Sequence, residues 1–122
     1  MSKIAVIGAG LAGCEAAWAA ANSGADVTLF DMKPHKFSPA HSSPLFAELV
    51  CSNSLKAKRI ESAAGLLKEE MRRLGSICIQ AAELSEVPAG GALAVDREKF
   101  SEIVTEKIKS HPRIKIEHRE IP

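Results

Sequence analysis

The sequence predicts an α/β fold with a central parallel sheet, and three observations carry that prediction. Two short runs rich in β-branched residues, Lys3 to Ile7 and Asp26 to Phe30, read as strands. An alanine-rich run between them suits a helix, so strand, helix and strand form one βαβ unit with a right-handed crossover. A further strand–helix–strand pattern follows near the end of the chain.

Each element has a local reason. KIAVI, bounded by Gly8, has the continuous apolar character of a buried parallel strand. Leu11 to Ser23 holds strong helix formers, and Gly24 supplies a left-handed stop. Asp31 ends the second strand before Lys33-Pro34 breaks the pattern. Residues 34–54 contain three of the six prolines and two histidines without sustained periodicity, so loop is expected, with a short helical turn around Leu45 to Val50. Apolar residues at Ile60, Ala63, Ala64, Leu67, Met71 and Leu74 predict an amphipathic helix that continues past Gly75 through Ile77 and Ala81. Pro88-Ala89-Gly90-Gly91 is its first clear stop. Ala92 to Val95 is a strand candidate. Asp96 caps a helix with the stripe Phe100, Ile103, Val104 and Ile108, and Arg97 reads most simply as a surface charge, although it could reach a bound nucleotide. Ile114, Ile116 and Ile121 mark the last strand. Residues 1–122 are thus one unit: βαβ at 3–31, loop and helical segment at 34–87, strand–helix–strand at 92–121.

Composition bounds the function classes. Of 122 residues, 46% are apolar and 25% charged, with a net charge of +1, which fits neither a disordered tail nor a membrane protein and gives no bulk-charge argument for nucleic acid. Positive charge is concentrated in residues 56–75, six basic groups against three acidic. Three cysteines without C-x-x-C spacing suit free thiols in a reducing compartment and no zinc site. With no leader-like start and no long apolar run, a cytoplasmic protein with no membrane contact is expected. Nineteen alanines leave few large core side chains, so the chain is expected to pack against segments it does not contain.

Gly8-Ala9-Gly10-Leu11-Ala12-Gly13 is G-x-G-x-x-G set between a predicted strand and a predicted helix, the context in which the motif has meaning. Gly8 permits the tight turn, Gly10 lets a pyrophosphate approach, and Gly13 lets the helix lie close to the sheet. The phosphates meet the helix N-terminus, with its unpaired N–H groups and partial positive charge. Asp31 follows Gly13 at about the spacing that places an acidic side chain on the adenosine ribose. The pattern therefore predicts a Rossmann-like FAD- or NAD(P)-binding fold. Asp31 repels a 2′-phosphate, leaving FAD or NAD.

Cys51 lies in ELVCSNSL ahead of Lys56, Lys58 and Arg59, a setting of cations in which thiols are reactive; an inert packed thiol is the alternative. Cys14 and Cys78 read as packing residues. Lys56, Lys58 and Arg59 are the better candidates for RNA phosphates, whereas Lys68, Arg72 and Arg73 read as a solvated helix face in which Glu69 pairs with Arg73. His35 and His41, in the loop after Asp31, could hydrogen-bond a flavin phosphate or a substrate, although lone loop histidines are usually just solvated.

GAGLAGCEAAW, PAHSSPLFAELVCSNSL, AAGLLKEEMRRL and VPAGGALAVDREKFSE together resemble the N-terminal part of the bacterial folate- and FAD-dependent tRNA (uracil-5-)-methyltransferases. The resemblance covers nearly the whole chain, and the segments around Cys51 and Pro88 to Phe100 are more specific than the glycine loop. It implies an incomplete fragment of a larger flavoprotein. It also implies FAD at Gly8 to Gly13, Asp31, Met32 and Lys33, methylenetetrahydrofolate as carbon donor, NAD(P)H as reductant, and tRNA as substrate. In that family Cys51 is implied to lie by the flavin as nucleophile or as protector of the flavin-bound carbon. Asp31-Met32-Lys33-Pro34 departs from the family's usual Glu-Met-Arg-Pro: Asp has the shorter reach, and Lys lacks the guanidinium fork. Two rivals stand beside this reading: the related FAD-dependent protein that modifies the tRNA wobble uridine, and a nucleotide-binding module without catalysis.

Overall fold

The computed structural model describes residues 2–122. Ten elements follow in chain order: β1 (Lys3–Ile7), α1 (Leu11–Asn22), β2 (Asp26–Asp31), β3 (Ser54–Ala57), α2 (Ala63–Arg73), α3 (Ile77–Leu84), β4 (Glu86–Val87), β5 (Ala92–Val95), α4 (Arg97–Ser110) and β6 (Ile114–His118). β1, β2 and β6 form a parallel sheet with β2 in the middle. Val6 sits opposite Leu29, and Leu29 opposite Ile116, so the C-terminal ends of all three strands meet at one edge. That edge carries the glycine loop and Asp31.

α1 packs on the sheet through Cys14, Ala17 and Ala21, one small face that lets helix and strands approach closely. α4 supplies the larger contribution. Phe100, Val104 and Ile108 are fully buried on one stripe, each stabilising the fold by about 1.5–3 kcal/mol. Asp96 caps α4 by accepting the Lys99 N–H at 3.0 Å, as its position predicts. Leu29, Phe46 and Ile77 are buried in the same core cluster.

Several expectations need correction. β1 is not buried: Ile4 and Ile7 are 39% and 67% exposed, because β1 pairs only with β2 and its other edge has no strand beside it among the described residues. The long amphipathic helix is two helices. The chain turns at Gly75, and the Ser76 hydroxyl caps α3 by accepting the Ile79 N–H at 3.1 Å, which starts a new helix rather than extending the old one. Ile60 lies outside α2, and Leu66, Leu67 and Leu74 are exposed, so this stripe is not a core face.

The expected helical turn at Leu45 to Val50 is irregular backbone with Ala47 in the left-handed region at φ +52°. Of the two late strands, β6 joins the parallel sheet and ends at His118, short of Ile121. β5 does not join it. It pairs antiparallel with β3 and β4 in a second small sheet, and neither β3 nor β4 carries a periodic signal long enough to read.

Candidate functional site

The glycine loop connects β1 to α1, and two of its glycines are required by geometry. Gly8 has φ +96° and donates its N–H to the Phe30 carbonyl at 2.7 Å, fastening the loop to β2. A Cβ on Gly13 would lie 1.7 Å from the Gly8 carbonyl oxygen, so the first turn of α1 rests directly on the loop. Gly10 is different: nothing lies within 4 Å of where its Cβ would stand. It occupies the N-cap of α1 with no side-chain cap, and the first turn holds no acidic residue, so the N–H groups there remain available to an anion.

Asp31 ends β2 beside this loop. Its Oδ1 accepts the Ala9 N–H at 3.1 Å. Its Oδ2 is buried and has no hydrogen-bond partner. A buried carboxylate oxygen without a partner is costly, which marks a place where a hydroxyl donor fits.

Two cavities flank Asp31. One of about 190 Å³ is lined by Gly8, Ala9, Gly10, Met32, Lys33, Ser38, His41 and Glu48. The other, about 270 Å³, lies toward Ile7, Phe30, Met32 and Arg119, whose guanidinium sits 5.0 Å from the Phe30 ring centre. Gly8, Ala9, Gly10, Asp31, Met32 and Lys33 are thus brought together. Leu11 and Ala12 instead line an apolar cavity of about 300 Å³ with Leu55, Leu67, Met71 and Phe100, and Gly13 is spent on packing.

Lys33 has a specific use of its own. Its Nζ pairs with Glu48 Oε1 at 2.9 Å and donates to the Leu45 carbonyl at 3.1 Å, with the side chain almost fully buried. Glu48 also accepts the N–H groups of Ser42 and Ser43. Burial alone raises the Glu48 pKa, but Lys33 and the two amides outweigh it and bring the carboxyl down to about 2. Lys33 therefore folds the 42–48 loop over the cavity with its charge already matched. Ser38, Glu48 and Arg119 were not foreseen as site residues, since neither spacing nor motif links them to the glycine loop.

Cys51 is exposed and free, so the packed alternative fails; it lines neither cavity beside Asp31. Cys14 is buried as expected, donating to the Ala9 carbonyl, and burial together with the Asp31 and Glu15 charges pushes its thiol up to about 12. Burial likewise raises Cys78. Lys56, Lys58 and Arg59 are all exposed, with Lys58 paired to Glu86 at 2.6 Å and Arg59 near Glu61 at 3.9 Å. Glu69 pairs with both Arg72 and Arg73 on the α2 surface, the solvated face that the spacing predicts. Among the described residues no group of His, Cys, Asp or Glu could hold a metal ion, and no helix is long and apolar enough to cross a membrane.

Residues 3–122 match the protein family described as glucose inhibited division protein A. The chain is 61% identical over 119 residues to the methylenetetrahydrofolate–tRNA-(uracil-5-)-methyltransferase TrmFO of Geotalea uraniireducens, covering 98% of this chain and 27% of that protein. To the TrmFO of Enterococcus faecalis it is again 61% identical over 119 residues, with the same coverage. The chain therefore spans about a quarter of the length of the curated relatives it matches. Among solved structures, Aquifex aeolicus GidA superposes with a TM-score of 0.73 at 19% identity, covering 96% of this chain and 19% of that one. A variant of MHPCO superposes at 0.56 and 13% identity, covering 96% of this chain and 31% of the other. At these identities the likeness is one of fold.

Proposed function

The chain belongs to the glucose inhibited division protein A family, and on that premise we propose that it is the FAD-binding part of a tRNA (uracil-5-)-methyltransferase that takes its carbon from methylenetetrahydrofolate. The observation that carries the proposal is the buried, unpartnered Oδ2 of Asp31, held beside the glycine loop by the bond from Ala9 to Oδ1. A ribose hydroxyl supplies the missing donor. The open space at Gly10 and the uncapped N-terminus of α1 suit a pyrophosphate, and Gly8, Ala9, Met32 and Lys33 border the same cavity.

Bound there, FAD supplies the redox chemistry with NAD(P)H as reductant. The chain's own residues seat and orient it. Leu11, Ala12 and Gly13 present the first turn of α1. Lys33 and Glu48 close the loop over the cavity. Cys51, exposed at the end of that loop, is the group available to add to a uracil or to guard the flavin, since a thiolate adding at C6 makes uracil C5 nucleophilic. Lys56, Lys58 and Arg59, exposed just beyond it, are placed for tRNA phosphates. Free thiols and a tRNA substrate fit a cytoplasmic protein.

Identity of about 60% to several methyltransferases supports this reading over the wobble-uridine protein. The chain corresponds to about a quarter of those relatives, so it is expected to hold flavin and to turn nothing over without the remainder. The test is a flavin fluorescence titration of the chain and of Asp31→Ala. Binding that weakens at least about tenfold with circular dichroism unchanged is expected, the loss of one charge-assisted hydrogen bond. Equal affinity would refute the site.

A further inference from the structure

α4 carries a second stripe beside its core face. Arg97, Ser101 and Thr105 are spaced four residues apart, as are the core residues Phe100, Val104 and Ile108. Ser101 and Thr105 are buried polar side chains, 3% and 7% exposed, and all three residues of the stripe reach the same short segment. Thr105 Oγ1 accepts the Phe46 N–H at 2.9 Å, Ser101 Oγ donates to the Ala47 carbonyl at 3.2 Å, and Arg97 Nη1 reaches the Leu49 carbonyl at 3.5 Å.

The segment they hold is strained. Ala47, 1% exposed, sits at φ +52°, where a residue bearing a Cβ is disfavoured and persists only if its surroundings impose the conformation. The two buried hydrogen bonds from α4 bracket that residue. Its own N–H donates to the Ala9 carbonyl at 2.8 Å. The central residue of the glycine loop is therefore gripped on both sides, its N–H by Asp31 and its carbonyl by Ala47. Four residues beyond Ala47 stands Cys51.

We infer that Ser101 and Thr105 are positioning residues: they hold the Ala47 turn in its strained form and thereby couple the glycine loop to the placement of Cys51. The inference rests on the reading that a dinucleotide occupies that loop. It adds that occupancy is felt at the thiol through the Ala9–Ala47 bond and the turn that α4 holds, not by cover from the ligand alone.

The experiment uses the 122-residue chain and follows alkylation of each cysteine by peptide mass spectrometry, with and without FAD, together with amide hydrogen exchange. Without FAD, Ser101→Ala and Thr105→Val are expected to speed exchange at the Ala47 amide and to change the Cys51 alkylation rate about fivefold, the change that losing one buried hydrogen bond produces. Exchange in β1, β2 and β6 stays as in the parent. Ser101→Thr, which keeps the hydroxyl, restores both readouts, as a merely space-filling role for Ser101 would not. With FAD, Cys51 is protected in the parent and that protection is lost in Ser101→Ala although FAD still binds. Unchanged Ala47 exchange and Cys51 reactivity in both variants overturn the inference, and so does equal FAD protection of Cys51 in parent and variants. Should Ser101→Ala fail to fold, Thr105→Val decides alone. If the parent binds no FAD, the dinucleotide reading falls, while the ligand-free arm still decides the positioning role.

Discussion

Asp31 and Ala9 are joined across 22 residues by one hydrogen bond, Ala9 N–H to Asp31 Oδ1 at 3.1 Å, which ties the end of β2 to the middle of the glycine loop. Asp31 lines two cavities, and its second carboxylate oxygen is buried without a partner. One side chain thus both shapes the loop and offers an acceptor beside it.

The three loop glycines separate into fold and ligand roles. Gly13→Ala places a methyl 1.7 Å from the Gly8 carbonyl oxygen and is expected to destabilise the chain by at least about 3 kcal/mol, despite alanine's better helix propensity. At Gly10 no atom lies within 4 Å of where a Cβ would stand, so Gly10→Val should keep stability to within about 1 kcal/mol while losing FAD. Urea unfolding and flavin titration on the same two variants check both halves. A stable, flavin-binding Gly13→Ala would contradict the contact.

Acid should loosen the cavity loop before it unfolds the sheet. The Glu48 carboxyl is lowered from 4.5 to about 2, so its stabilising contribution is fully present above pH 4.5 and is lost as pH falls toward 2. Glu48→Gln is expected to flatten the pH dependence of loop protection across that window, read by hydrogen exchange at the Ser42 and Ser43 amides. A wild-type profile identical to that of Glu48→Gln would rule out this role for the carboxylate.

The cysteines should react in a fixed order. Cys51 is exposed, whereas Cys14 is buried with its thiol pushed up to about 12, and Cys78 is raised by burial as well. Iodoacetamide at pH 8 is expected to label Cys51 first and Cys14 only on unfolding, in a peptide-resolved time course. Labelling of Cys14 at the Cys51 rate would mean that the α1 face is open.

The βαβ unit was legible because its signals are local: β-branched runs, alanines, a stop at Gly24 and glycines at fixed offsets. Asp31 was legible for the same reason. The exposure of β1 was not, because burial depends on what stands beside a strand, and KIAVI reads identically in the centre of a sheet and at its rim. β3 and β4, four and two residues long, are too short to show a period, so nothing in the sequence marks the second sheet or assigns β5 to it. The break between α2 and α3 follows from Gly75 and the Ser76 cap, signals outweighed by the apolar spacing on either side. The Lys33–Glu48 pair spans 15 residues of irregular chain, where no periodicity links partners. Arg97, Ser101 and Thr105 do share a helical spacing, yet only the fold reveals that a turn of backbone lies against them.

That double stripe has a consequence for how α4 can change. Inserting or deleting a single residue ahead of Ser101 rotates everything after it by about 100° around the helix axis. Ile108 would swing out of the interior at the same moment that Thr105 let go of its amide. Substitutions along α4 can be absorbed one at a time; a change in its length cannot.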